Sequence, residues 1–156
     1  MIGNLKRWLA EDSATRFAAR YCLLVIVLNL AWEAAHAPLY TLWQEPLPAV
    51  VQAVFHCTLG DLLMAGTSLT LAVMALGRGW PGQGHTRVMV AATAIGVAYT
   101  VASEWVHTRV IHDWAYDPAM PVVPPFGTGL TPLLQWLIVP PAAYWLARHR
   151  LTFLRR

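Results

Sequence analysis

Residues 100–107, Thr-Val-Ala-Ser-Glu-Trp-Val-His, lie at the end of a long apolar run and indicate a helical bundle with polar side chains inside it. It contains Glu104 and His107, three positions apart, and the same spacing separates Glu33 from His36 at the end of an earlier apolar run. Residues three apart share one face of a helix. Ionisable side chains are costly in apolar surroundings, so two such pairs indicate a functional site inside a helical bundle.

The composition is that of a membrane protein. Of the 156 residues, 57% are hydrophobic and 12% are charged, whereas a soluble domain carries about 25% charged residues. The formal net charge is +3, but the basic residues cluster at the ends of apolar runs, where they act as topology signals. The sequence has no phosphate-binding or nucleic-acid motif, so no nucleic-acid partner is predicted.

Four apolar stretches predict four transmembrane helices, each near or above the ~20 residues that a bilayer requires. The predicted parts are an interfacial segment (1–16), a transmembrane domain (17–147) with spans at about 17–37, 49–77, 88–108 and 129–147, a Pro-rich lid loop (109–128) and a basic tail (148–156). The chain is therefore expected to lie among membrane lipids.

The distribution of charge predicts the orientation. Lys and Arg are concentrated near both termini and in the turn 78–87, whereas the other two loops carry mainly Glu and Asp. The positive-inside rule then places both termini in the cytoplasm and predicts a multi-pass protein of the inner (plasma) membrane. The expected fold is an all-α, up-down bundle of four transmembrane helices in which the first and third spans face each other diagonally.

The ionisable groups within the spans are predicted to share one depth. A rise of about 1.5 Å per residue, counted from the basic inner end of each span, puts them in the outer third of the hydrocarbon layer or just above it. The residues at this level are Glu33, His36, Asp61, Glu104 and His107. The loop 109–128 would lie directly above them as a lid that opens toward the exoplasmic side.

A metal site is the first functional hypothesis. Two Glu-x-x-His pairs on two helices resemble the ligand set of ferritin-like di-iron carboxylate bundles. Those proteins take a further Glu from each of two other helices, whereas the second span here offers Asp61 and the fourth offers Gln135. Mixed nitrogen and oxygen ligands suit iron, manganese or zinc. The resemblance is to a ligand pattern, and the departure from it makes a site for one metal as plausible as a site for two. The hypothesis is a membrane enzyme for an apolar, lipid-like substrate, with its metal held by Glu33, His36, Asp61, Glu104 and His107.

The same carboxyl groups support a metal-free alternative. Glu33, Asp61 and Glu104 would be the catalytic acids and bases, because a buried carboxyl group can retain a proton at neutral pH. Tryptophan rings at this level could stabilise a carbocation through cation–π attraction. The predicted substrate contacts are His56, Gln135, Trp32, Trp105 and Trp136. These groups suit an isomerase or cyclase of a sterol or isoprenoid lipid.

Two further hypotheses remain open. His36 and His107 could be the axial ligands of a b-type haem, although that arrangement gives the two glutamates no role. Polar side chains also tie membrane helices together. The chain would then be a non-catalytic scaffold, either a homo-oligomer or an accessory subunit of a membrane complex.

Overall fold

Four helices form the fold, and three of them are long and apolar enough to cross a membrane. A computed structural model describes the backbone of residues 2–153 and the side chains of residues 13–149. The helices are α1 (Ile2–His36), α2 (Leu47–Leu76), α3 (His85–Val106) and α4 (Leu130–Phe153). The candidate spans are Ser13–Leu39, Leu47–Leu76 and His85–Ile111. Most side chains of the predicted interfacial segment and basic tail lie outside the described residues.

The helices pack in a four-membered ring. α1 contacts α2 and α4, and α3 contacts the same two helices, so α1 and α3 lie on a diagonal. The prediction of a predominantly helical protein is confirmed. The loop before α4 adds one small feature that periodicity did not indicate, an antiparallel hairpin of β1 (Val122–Val123) and β2 (Thr128–Gly129).

Proline and glycine set the ends of the helices. α1 ends at His36, and Pro38 directs the chain into a 3-10 turn, because proline cannot donate the next helical hydrogen bond. Gly84 precedes α3 with φ +73°, a left-handed conformation that glycine adopts without steric cost. α3 continues as a π-helical turn, His107–Ile111, which stops at His112 with φ 58°.

The end of the bundle at the 78–84 turn is closed by aromatic side chains. The Phe17 ring packs edge-on against Trp80 and Tyr144, with ring centroids 5.3 and 4.8 Å away. The Trp80 indole donates a hydrogen bond to the Tyr144 hydroxyl at 2.9 Å. The buried ionisable side chains are instead at the opposite end, where α1 and α3 finish and α2 and α4 begin. We call this the polar end.

About two helical turns before Glu104, Gly96 allows α3 and α4 to approach closely. A Cβ atom at Gly96 would lie 2.1 Å from the ring of Trp136. Trp136 is only 4% exposed, so its ring fills the space that a larger residue on α3 would need. This contact fixes the indole beside the acidic residues described below.

Large apolar side chains cover much of the outer surface. Leu63 and Met74 on α2 are 70% and 79% exposed, and they belong to a row that also includes Leu47, Val51, Phe55 and Leu59. Soluble monomers rarely expose a contiguous apolar patch of this kind. The surface therefore agrees with the three candidate spans in indicating a membrane protein.

Candidate functional site

A buried amide near the start of α4 gathers polar groups from α1 and α2. Nε2 of Gln135 lies 2.8 Å from Glu33 Oε1, 2.8 Å from Asp61 Oδ2 and 3.0 Å from Asn29 Oδ1. Gln135 and Asn29 are each 2% exposed. A side-chain amide has two donor hydrogens, so three acceptors share two hydrogens. The amide thus holds the two carboxyl groups close together.

The carboxyl groups of Glu33 and Asp61 also lie close to each other. An ionised carboxylate can only accept hydrogen bonds, so a direct hydrogen bond between the two groups would need one of them to be protonated. In that state one member of the pair is an acid and the other a base. The Trp136 side chain lies beside Asp61 as well, which brings an aromatic ring to the pair.

His36 connects this pair to α4. Its Nε2 atom lies 3.0 Å from Glu33 Oε2, and its Nδ1 atom lies 3.2 Å from the Thr131 hydroxyl. His36 is 7% exposed. Both ring nitrogens are engaged within the protein, so the imidazole orients Glu33 and is not free to bind another group.

Glu104 forms a second acidic position, held by the long loop. It is 8% exposed, and its Oε2 atom accepts a hydrogen bond from the Tyr116 hydroxyl. The Tyr116 oxygen in turn accepts the backbone N–H of Gly129 at 2.9 Å. Burial, followed by the hydrogen bond to Glu104, raises the pKa of Tyr116, so the phenol remains a donor at neutral pH.

The two loops at the polar end are joined to each other. Tyr40 and Tyr116 form an antiparallel bridge, and the Thr41 N–H donates to the Ala115 carbonyl at 3.0 Å. The Tyr40 ring lies 5.5 Å from that of Tyr116 and 5.4 Å from that of His36. Burial, then the charge of Glu104, raises the pKa of Tyr40. We call the joined loops, residues 37–46 and 112–129, the cap.

His107 does not join the other predicted ligands. Its Nδ1 atom lies 2.8 Å from Asp113 Oδ2, and its ring stacks on Trp114 with centroids 4.1 Å apart. The helix changes from α to π geometry at His107, so the rule that residues three apart share one face no longer applies there. The imidazole is therefore directed toward the loop.

The structure does not bring all five predicted metal ligands together. All five proposed ligands are among the described residues, and these contain no group of three or more His, Cys, Asp or Glu that could hold a metal ion. His107 is paired with Asp113 instead, and the carboxyl pair is occupied by an amide and an indole. The ligand set Glu33, His36, Asp61, Glu104 and His107 therefore stays a prediction. The haem hypothesis stays one as well, and in this structure both of its histidines contact other side chains.

The predicted substrate contacts divide into two groups. Gln135 and Trp136 contact the carboxyl pair, as described above. His56 is exposed because it precedes Asp61 by five residues and therefore points to a different face of α2. Trp105 is 46% exposed. Trp32 is partly buried, and its indole N–H has no hydrogen-bond partner among the described residues.

An open apolar groove of about 670 Å³ lies elsewhere, and its walls include Cys22, Leu63 and Leu71. None of the acidic residues contributes to it, so the groove does not define the chemistry. No family model, curated protein or solved structure matches the chain. The function is therefore inferred from the side chains at the polar end, where two carboxyl groups meet at one amide and a third is held by a tyrosine.

Proposed function

We propose that this chain is an integral membrane enzyme that isomerises an apolar, lipid-like substrate by acid–base catalysis. The observation that carries the proposal is the pair Glu33 and Asp61, two carboxyl groups in contact with each other and with one amide nitrogen. Such a pair supplies an acid and a base at the same place. The apolar outer surface supports a substrate that reaches the site from lipid.

The pair can move a double bond without any co-reactant. Asp61 is less buried than Glu33, so it is assigned as the acid that transfers its proton to one alkene carbon. The resulting carbocation loses a proton from a neighbouring carbon to the Glu33 carboxylate, and the double bond forms at the new position. One proton is given and one is taken back, so the pair again holds one proton.

Trp136 is assigned to stabilise the carbocation. Its side chain contacts Asp61 and is held against Gly96. The face of an indole attracts a cation by up to about 2 kcal/mol when both are desolvated. The ring would therefore stabilise the carbocation beside the acid that forms it.

The proposed placement in the membrane completes the assignment. α4 has 24 residues and packs between α1 and α3, which supports its crossing the bilayer as a fourth span. Both termini would be cytoplasmic in an inner membrane, and the polar end would lie in the outer third of the bilayer under the cap. The buried polar groups of α4, such as Gln135, make it less apolar than the other spans.

The test is proton exchange at carbon. The full chain is reconstituted with a lipid extract of the cells that produce it, in D₂O, and the lipids are analysed by liquid chromatography and mass spectrometry. We expect at least one lipid to change retention time and gain one deuterium without another change in composition. Asp61→Asn and Glu33→Gln should abolish this, whereas Glu45→Gln, in an exposed part of the cap, should not.

Two results would contradict the proposal. One is that the lipid profile obtained with Asp61→Asn is identical to the profile obtained with wild type. The other is retained deuterium incorporation in Asp61→Asn and Glu33→Gln when both variants are folded, because the pair would then be structural and the chemistry would lie elsewhere.

A further inference from the structure

Several threonines in the helices hydrogen-bond to their own backbone. Thr58, Thr67, Thr70 and Thr108 each donate to the carbonyl four residues earlier, at 2.6–2.8 Å. The Thr100 hydroxyl has no hydrogen-bond partner among the described residues, although Thr100 is only 5% exposed. A buried hydroxyl without a partner is destabilising, so its presence in the middle of α3 requires an explanation.

A second hydroxyl without a partner lies on the same side of the site. Thr100 precedes Glu104 by one helical turn, so both are on one face of α3. Thr128 is 3% exposed, and its hydroxyl also has no partner among the described residues. It adjoins Gly129, whose N–H binds the Tyr116 hydroxyl that donates to Glu104. β2, which contains Thr128, contacts α3.

A third buried polar group is an indole N–H. The Trp114 side chain lies beside the Glu104 carboxyl group, but its nitrogen has no hydrogen bond of ordinary geometry. Near the Glu104 carboxyl group there are therefore two buried hydroxyls without a partner among the described residues and one buried indole N–H. This set has the composition of a polar binding subsite under the cap.

The donors and acceptors select the chemical class of the ligand. A hydroxyl group donates one hydrogen bond and accepts two, so it can donate to Glu104 and accept from Thr100, Thr128 or Trp114. An ammonium group cannot accept any hydrogen bond. A carboxylate or phosphate would be repelled by Glu104.

We propose that Thr100, Thr128, Trp114 and Glu104 bind the hydroxyl group of an apolar alcohol. This inference rests on the proposed function and deepens it by naming the substrate class. The hydroxyl anchors one end of the molecule on the α3 side, while the Glu33 and Asp61 pair acts on a carbon–carbon double bond on the α1 side.

The test compares alcohols with their methyl ethers, which cannot donate. Binding of farnesol and cholesterol, and of their O-methyl ethers and primary amines, to the full chain in lipid nanodiscs is measured by equilibrium dialysis. Loss of one donated hydrogen bond should weaken ether binding about tenfold. Thr100→Val should weaken binding of the alcohol and of its ether, because either oxygen can accept a hydrogen bond from Thr100. The matched control is Thr67→Val, because Thr67 is exposed and bonded to its own helix, and it should leave both affinities unchanged.

Stability of the ligand-free protein provides a second measurement. Thr100→Val replaces a hydroxyl that has no partner with a methyl group of similar size, so its unfolding temperature should equal or exceed that of wild type. A clear fall would mean that the hydroxyl is already satisfied, by water or otherwise, and would overturn the inference. Equal affinity for alcohol and ether, tighter binding of the amine, or an unchanged alcohol affinity in Thr100→Val would also overturn it.

Failure of the subsite and failure of the proposed reaction are distinguishable. Selective alcohol binding without deuterium incorporation would support the subsite and reject the isomerase. Deuterium incorporation with equal binding of alcohol and ether would support the reaction and reject the subsite.

Discussion

Replacing Gly96 with alanine should destabilise the bundle and disturb the site. The new Cβ atom would lie 2.1 Å from two ring atoms of Trp136, where an ordinary contact is 3.4–4 Å, so the indole must shift by more than about 1 Å. Trp136 is 4% exposed and has little room to shift. Overpacking of this kind costs about 1–3 kcal/mol, and the helix preference of alanine over glycine offsets about 1 kcal/mol. The expected net loss is up to roughly 2 kcal/mol.

The matched control is Gly60→Ala on α2. A Cβ atom at Gly60 meets no atom within 4 Å, so this change should leave stability unchanged or raise it by up to about 1 kcal/mol. Unfolding free energies of both variants can be measured by titrating dodecyl sulfate into mild-detergent micelles and following helix content by circular dichroism. Gly96→Ala should also lower deuterium incorporation, since its displaced indole contacts Asp61. Equal stability of the two variants would refute the close approach of α3 and α4.

Three other predictions test the site. Gln135→Leu removes the donor shared by Glu33 and Asp61 and should cost about 2 kcal/mol or more in the same titration; a loss below about 0.5 kcal/mol would contradict the shared contact. Burial, and then the hydrogen bond to Glu104, raises the pKa of Tyr116 in the folded protein. The resulting stability is present below about pH 10, the ordinary pKa of a tyrosine, and is lost as the pH rises toward the pKa of Tyr116 in the folded state. Thermal unfolding of wild type should therefore decline more steeply above about pH 10 than that of Tyr116→Phe, and parallel curves would argue against the buried contact. Elemental analysis of the purified chain separates the metal hypothesis from the acid–base proposal. Stoichiometric iron, manganese or zinc that is lost in Glu104→Ala would establish a metal site, whereas well below one metal per chain is expected for acid–base catalysis, in which His107 pairs with Asp113.

The sequence predicted a predominantly helical protein because apolar length is a local signal. α1 ends at His36, two residues before Pro38, whereas α2 begins at Leu47, directly after Pro46, and so starts before Pro48, which lies outside the predicted second span. The diagonal relation of α1 and α3 also followed from an up-down order with short connections. Glu33 and Asp61 were placed at one level by counting residues, and the structure brings them into contact.

The cap could not be predicted in the same way. Tyr40 and Tyr116 pair through backbone bridging between two loops that are 76 positions apart, and neither loop has a periodic pattern. Prolines and aromatic residues in 109–128 indicated a stiff lid, but a composition cannot identify which side chain reaches Glu104. The unpartnered Thr100 hydroxyl is equally invisible in sequence, because most helical threonines bond to their own backbone.

The two Glu-x-x-His pairs explain why repetition of a motif did not give a symmetric site. Their glutamates are equivalent, since each is buried and bound by a residue from a later part of the chain, Gln135 for Glu33 and Tyr116 for Glu104. Their histidines are not, because His36 lies in a regular α-helix whereas His107 begins a π-helical turn. Spacing fixes a shared face only while the helix keeps 3.6 residues per turn. A ligand pattern at the very end of a helix therefore predicts its first member better than its last.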